Sequence, residues 1–264
     1  MIEIFELNII KRAFIIVSVI APLAPLFGVF LLIRRYAFLA DTIAHVGFLA
    51  IALSLFLGIN SLSVLIVLSI AVSVSVEQLR SKGRFPAEGS LSFFLYAGVA
   101  ISVLFITFSH NTGSIMNILF GSLSTVTRQD VYLILAGALL CGAFLLRYHK
   151  NLLNLCIDEE IAHASGINTS KVKILFAVTV ALSISISIKT MGALLIGSLM
   201  IIPPLTAMQI CRSLRSTAVA SIIFSLFSAY SGIFLSFYSG IPLGASISSI
   251  LIALFLISFI IRLF

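Results

Sequence analysis

Asp41 and His45 stand four residues apart in the stretch LADTIAHV at positions 39–46. On an α-helix that spacing puts both side chains on one face, one turn above the other. A carboxylate oxygen and an imidazole nitrogen together suit zinc, manganese or ferrous iron. Both residues sit where a long apolar stretch begins, and ionisable residues inside a membrane are expensive and functional by default. Two ligands do not close a metal site, but a two-fold dimer would bring two such pairs together and supply four. The same residues also read as a helix start at the membrane surface, with Asp41 near the positive end of the dipole and His45 incidental.

A second constellation lies in Arg147–Lys173, the longest polar segment. Within it Asp158-Glu159-Glu160 predicts the start of a short helix. Asp158 is placed to cap the free N–H groups, and the two glutamates complement the positive end of the dipole. Gly166 is placed to end that helix in a left-handed conformation. With the small residues Ala162 and Ala164, such a two-turn helix could dock into a groove on a cytoplasmic partner. Glu159 and His163 are also four apart and could ligate metal, but a solvated helix face is the account their types favour. The whole segment also reads as a plain connector.

The elements that must carry these residues follow from composition. The chain has 264 residues, 61% hydrophobic and only 9% charged, against about 25% charged in soluble domains. So few polar groups cannot cover a soluble domain of this size. Purely extracellular, nucleic-acid-binding and disordered proteins are thereby excluded, and the chain reads as an all-α polytopic integral membrane protein, a single domain over 1–264. Ala13–Ile33 is 21 residues long, preceded by Glu3, Glu6 and Lys11-Arg12 and closed by Arg34-Arg35 without a small-residue cleavage pattern. It reads as a retained span rather than a signal sequence. Cys141, Cys156 and Cys211 are far apart and form no CxxC, so neither a disulfide framework nor a zinc knuckle is expected.

A hydrocarbon core of about 30 Å takes roughly 20 helical residues. On that measure Ala13–Ile33 is one span, and Thr42–Val76 makes two, divided at Gly58-Ile59-Asn60. The apolar part of Gly89–Thr127 ends near Phe108 and gives one. Val131–Leu146 gives a short one and Ile174–Ile188 another. Met191–Cys211 is a span expected to break at Pro203-Pro204, and Ser216–Ile261 splits at Gly240-Ile241-Pro242 into two. The total is nine, or eight if the Thr42–Val76 pieces are irregular. With the C-terminus inside, 12 of the 16 basic residues fall on the cytoplasmic side and 4 outside. The rule is weaker for the first span, where Lys11-Arg12 faces Arg34-Arg35. This topology puts Asp41 toward the cytoplasmic end of its helix.

Ala193 and Gly197 form a small-xxx-small pair that permits close helix approach, and Gly240 and Gly244 form another. The serines at 183, 185 and 187 and at 246, 248 and 249 are expected to bond back to their own helix carbonyls. No GxxxxGK[ST] is present, so the chain carries no phosphate-binding loop; HExxH and GxSxG are also missing.

Four stretches then resemble one family in order and spacing. Arg34-Arg35 with Leu39–Val46 resembles the "RR…GDALSHA" signature of the metal-uptake ABC transporter permeases, the zinc, manganese and iron permeases that include bacterial zinc uptake permeases. Leu119-Phe120-Gly121-Ser122-Leu123 with Arg128-Gln129-Asp130 is similar to "LFG…L…(R/S)xxD". Asp158–Ala162 with Gly166-Ile167-Asn168 is similar to "DxExAxxxGIN". Gly192–Pro204 with Ala207 is similar to "GxLLxxxLLIIPxxxA". The resemblance covers essentially the whole chain.

The resemblance implies a permease homodimer in the bacterial inner membrane, surrounded by lipid. It also implies cytoplasmic ATP-binding subunits docked on a coupling helix, here Asp158, Glu159, Glu160, Ala162 and Gly166, and an extracytoplasmic metal-binding protein that delivers the ion. Asp41 and His45 match the family's aspartate and histidine that coordinate or gate the ion. No permanently bound cofactor and no nucleic acid are implied, only a transported divalent metal, zinc ahead of manganese. Departures are Ala44, where the family has serine before the histidine, Glu88, where aspartate is commoner, and Ser90-Leu91-Ser92 in place of a glycine-rich helix start. The rivals are a manganese or iron importer of the same family and a gradient-driven secondary transporter without an ATPase. An intramembrane enzyme would need a second set of catalytic groups facing Asp41 and His45, which the sequence does not offer.

Overall fold

The computed structural model describes residues 8–81, 86–109 and 127–263, all of them helices and short joints. The LFGSL stretch at 119–123 lies outside the described residues. In chain order the helices are α1 (Asn8–Ile33), α2 (Phe38–Leu57), α3 (Ser61–Ser81), α4 (Ala87–Ser109) and α5 (Arg128–Ile157), followed by the short α6 (Glu159–Ala164). They continue with α7 (Thr169–Met191), α8 (Ala193–Ile210), α9 (Leu214–Ser239) and α10 (Leu243–Leu263). Among the described residues nine helices are long and apolar enough to cross a membrane, all except α6. The eight-span alternative is not realised, because 38–81 folds as two regular helices. Gly58 caps α2 in the left-handed region at φ 66° and hands its N–H to the Ser54 carbonyl.

Four helices form the centre. α1, α2, α7 and α8 are buried on most of their surfaces, while α3, α4, α5, α9 and α10 surround them and keep long outward faces. α2 packs most extensively on α4 and also against α3, α7 and α8. One apolar core runs through the group, with Phe27, Leu31, Leu39, Ile43, Phe176 and Ile184 fully enclosed.

Two elements differ from the reading of the sequence. Val131–Leu146 is part of a 30-residue helix, α5, that continues to Ile157; at a rise of about 1.5 Å per residue it is longer than a bilayer core. Arg147 and Lys150 are good helix formers, and Leu152 and Leu155 beyond them are buried, so polarity marks where the helix leaves the apolar layer rather than where it ends. The second difference is α8, which passes through Pro203 and Pro204 without a break. Pro204 leaves the carbonyl of Met200 without its intrahelical donor. Against that carbonyl α1 presents Gly28, where an added Cβ would stand 1.6 Å from the Met200 oxygen. The freed carbonyl is therefore sealed under a neighbouring backbone, which satisfies the requirement that irregular backbone at membrane depth be enclosed in protein.

The glycine pairs also sort differently. Gly240 is a left-handed cap at φ 66° with nothing within 4 Å of an added Cβ, so it is no packing site; the close approach of α9 and α10 is made at Gly232 against Ile247. Among the serines, Ser185, Ser187, Ser246 and Ser249 bond back to their own helices as expected. Ser248 instead meets Ser198 across α8 and α10 at 2.7 Å. The three cysteines are free.

Candidate metal site

Asp41 lies in the first turn of α2 and His45 one turn further on. Between Leu39 and Ser54 the accessible residues of α2 repeat every fourth position: Asp41 is exposed, and His45, Leu49 and Leu53 are half-buried along the same stripe, while Phe38, Leu55, Phe56 and Leu57 are exposed at the two ends. The two polar side chains thus open the one accessible stripe along the enclosed middle of the helix. His45 is close enough to interact electrostatically with the Asp41 carboxylate.

Neighbouring helices make room for the pair. A Cβ at Gly197 of α8 would stand 2.7 Å from Asp41 Oδ1, so the carboxylate occupies space that any side chain there would fill. Gly98 of α4 lies against the His45 backbone, where an added Cβ would meet the His45 carbonyl at 3.3 Å. The Thr42 hydroxyl lies 2.8 Å from the Phe38 carbonyl and 3.2 Å from that of Leu91, which ties α2 to α4 beside Asp41. The sequence pattern offered Gly197 only as a packing partner of Ala193; its contact with Asp41 joins residues 156 positions apart. Among the described residues no three His, Cys, Asp or Glu side chains gather as a metal site.

The second constellation folds as its residues predict. Asp158 caps α6, accepting from the N–H groups of Glu160 at 2.7 Å and Ile161 at 3.1 Å. Gly166 takes φ 79° and ends the motif, a conformation that a Cβ disfavours. Ala162 is fully buried and fastens α6 to the bundle, while Glu160, Ile161 and His163 face outward. Glu159 does not join His163 as a ligand pair; it forms an ion pair with Lys173 at the start of α7. The structure keeps this constellation apart from Asp41 and His45: α6 packs on α5 and α7.

At the same end of the bundle as α6, the corner between α1 and α2 carries a buried charge cluster. Arg34 Nη2 is 3.8 Å from Glu77 Oε1, and both side chains are almost fully buried. The Tyr36 ring lies under both Arg34 and Arg80, at 5.8 Å and 4.7 Å from ring centre to guanidinium carbon. Burial pulls the Arg34 guanidinium below its ordinary range against the pull of Glu77. Burial first, and Glu77 second, push the Tyr36 phenol above its ordinary range. Neither Glu77 oxygen has a hydrogen-bond partner among the described residues, and neither has the Tyr36 hydroxyl. The sequence reading used Arg34 to close the first span, to mark sidedness and within the Arg34-Arg35 resemblance, and did not pair it with an acid. The available signal was Glu77, a lone acid at the end of an uncharged run beside Arg80, Lys82 and Arg84.

At the opposite end Asp130 forms a capping box with Thr127 and accepts from Lys189 Nζ at 2.7 Å, which joins the ends of α5 and α7.

Comparison with known proteins matches this arrangement. The family model described as the ABC 3 transport family matches residues 6–262. The chain is 31% identical over 225 residues to the high-affinity zinc uptake system membrane protein ZnuB of Haemophilus influenzae, covering 85% of this chain and 86% of that protein. It is 21% identical over 255 residues to the manganese transport system membrane protein MntC of Listeria monocytogenes, covering 97% and 91%. Among solved structures, PsaBC from Streptococcus pneumoniae in complex with Fab shares the fold with a TM-score of 0.85 at 23% identity, covering 97% of this chain and 92% of that one. With the match running from the first helix into the last, this multi-pass membrane protein belongs to the ABC 3 transport family.

Proposed function

We propose that the chain is the membrane permease subunit of an ATP-driven importer for a divalent transition metal ion, zinc foremost, in the bacterial inner membrane. Asp41 and His45 hold the ion in transit, and two copies of the chain face each other across that stripe of α2. The observation that carries this reading is the stripe itself. A helix enclosed along its middle leaves its carboxylate exposed and its imidazole half-buried on one stripe, and Gly197 keeps the space around the carboxylate open. A charged group turned toward lipid is costly, whereas one turned toward a second copy or a water-filled path is functional. A paired chain also completes the ligand set, with four groups where one chain has two.

The α6 end faces the cytoplasm in this reading, the orientation that the distribution of basic residues favours. There Ile157 and Ile161 are 77% and 63% exposed next to Asp158 and Glu160, an apolar patch with an acidic rim suited to a groove on an ATP-binding subunit. ATP hydrolysis belongs to that separate subunit, and an extracytoplasmic metal-binding protein brings the ion to the other side. Manganese is the second reading, favoured by the likeness to MntC over nearly the whole chain. One carboxylate and one imidazole per chain do not separate the two metals.

The test is metal uptake by the complete complex in proteoliposomes. D41A and H45A are each expected to abolish it, and normal uptake by either variant refutes the ligand assignment. Stimulation of ATP hydrolysis by zinc compared with manganese identifies the cargo.

A further inference from the structure

Beside α6 lies a cleft of about 350 Å³ walled by the end of α3 and the starts of α6 and α7. Two carboxylates and one ammonium line it: Glu77, Glu159 and Lys173. Lys173 is paired with Glu159 on α6. Glu77 is 2% exposed, and neither of its oxygens is hydrogen-bonded among the described residues. Among the described residues the nearest cation, Arg34, stands 3.8 Å away, beyond hydrogen-bonding distance. A buried carboxylate left in this condition is costly. One cation paired with the nearer of two acids that line the same cleft, with open volume beside it, leaves room for a second arrangement, and two discrete arrangements are what transmission between distant sites requires.

We propose that Glu77 is a positioning residue for transport, the alternative partner of Lys173, which leaves Glu159 for Glu77 when the ATP-binding subunit displaces α6. The inference rests on the reading of α6 as the docking surface. In the present arrangement Glu77 faces Arg34, Tyr36 and Arg80 among the described residues, and Arg34 with Tyr36 forms the corner from which α2 starts two residues later. When Lys173 arrives, the charge beside Arg34 is neutralised and the hold on that corner loosens. When Lys173 returns to Glu159, the Glu77 charge acts on Arg34 unneutralised again. Movement of α6 is thereby passed through one side chain to the first turn of α2, where Asp41 sits. The residues within this cluster are Arg34, Tyr36 and Arg80 on one side of Glu77 and Lys173 with Glu159 on the other.

The experiment measures metal taken up per ATP hydrolysed by the complete complex in proteoliposomes, for the unaltered protein and for E77Q, E77D, K173Q, E159Q and the double variant E77Q/K173Q. Co-purification of the ATP-binding subunit reports assembly in each case. Exchange predicts that E77Q lowers the ratio by about tenfold, within the usual range for coupling between sites, while ATP hydrolysis continues, and that E77D restores part of it. K173Q lowers the ratio to a similar extent, and the double variant is no worse than either single one, because the two side chains act as one unit. E159Q is milder than K173Q, since it leaves Lys173 free to reach Glu77. This comparison at the cleft mouth decides the question even where E77Q does not assemble. A normal ratio in E77Q, multiplying losses in the double variant, or equal losses in K173Q and E159Q each overturn the proposal. Absence of ATP-driven uptake by the unaltered complex refutes the proposed function instead, so the two failures are distinct.

Discussion

The Asp41 carboxylate occupies the space left by the missing side chain of Gly197, with Oδ1 2.7 Å from where a Cβ would stand. This contact joins the first turn of α2 to the second turn of α8, and under the proposed function it makes position 197 part of the ion site rather than of the packing alone. The obstructing atom is the end of a short side chain and not backbone. A methyl group at 197 is therefore accommodated by rotating the carboxylate away, at little cost to the fold.

G197A is accordingly expected to separate function from stability. Thermal unfolding in detergent should change by no more than about 1 kcal/mol, as for other mild overpacking. Metal uptake should fall about tenfold or more, because a displaced ligand costs far more in function than in folding. A normal uptake rate in G197A would show that Asp41 does not need the position it holds here.

Gly28 presents the opposite case. An added Cβ would stand 1.6 Å from the Met200 carbonyl oxygen and 2.7 Å from its carbon, both backbone atoms of α8. Nothing there can rotate aside, so α1 and α8 must separate and uncover the carbonyl that Pro204 leaves unpaired. G28A is expected to destabilise by about 3 kcal/mol or more, combining overpacking with a lost enclosure of buried backbone. The unfolding temperature and the yield of monodisperse protein in detergent check this.

The cap of α6 gives a milder and more local prediction. The Asp158 carboxylate accepts from two N–H groups, of Glu160 and Ile161, and a cap of this kind contributes about 1 kcal/mol. D158A should leave global unfolding nearly unchanged, since α6 has only six residues and is fastened chiefly by Ala162. Co-purification of the ATP-binding subunit should drop, because the surface it grips has frayed. An unchanged yield of the complex would count against α6 as the docking surface.

What the sequence made legible was whatever repeats locally. The i, i+4 spacing of Asp41 and His45, the Asp158 cap and the Gly166 stop each lie within one helix or its end, where helix geometry alone relates the residues. The spans were legible because apolar length maps directly onto membrane thickness. What stayed hidden lies between helices. Gly28 with Met200, Asp41 with Gly197, and Arg34 with Glu77 are partners across 172, 156 and 43 positions, and no periodicity relates them. Pro203-Pro204 was misread for the same reason: the rule that proline breaks a helix is local, and the glycine that encloses the freed carbonyl is on another helix. Arg147 and Lys150 misled in a different way, since charge reports where a helix meets water and not where its hydrogen bonds stop.

Tyr36 provides a prediction in pH. Its hydroxyl is buried without a hydrogen-bond partner among the described residues, and its phenol is held above the ordinary range by burial and by Glu77. In the unfolded chain the phenol ionises near its ordinary pKa of about 10, while in the folded protein it stays protonated at that pH. A group whose folded pKa is raised contributes stability that is fully present below the unfolded pKa and is lost as pH rises through it. The protein should therefore lose stability progressively above about pH 10. Y36F keeps the ring under Arg34 and Arg80 and removes only the hydroxyl. At neutral pH it should be as stable as the unaltered chain or more stable by about 1 kcal/mol, because a buried unpaired polar group is gone. Above pH 10 its unfolding temperature should fall less steeply than that of the unaltered chain. Parallel curves for the two proteins across that range would show that the phenol does not titrate in the unfolding equilibrium. A drop in Y36F stability at neutral pH would show instead that the hydroxyl has a partner that matters.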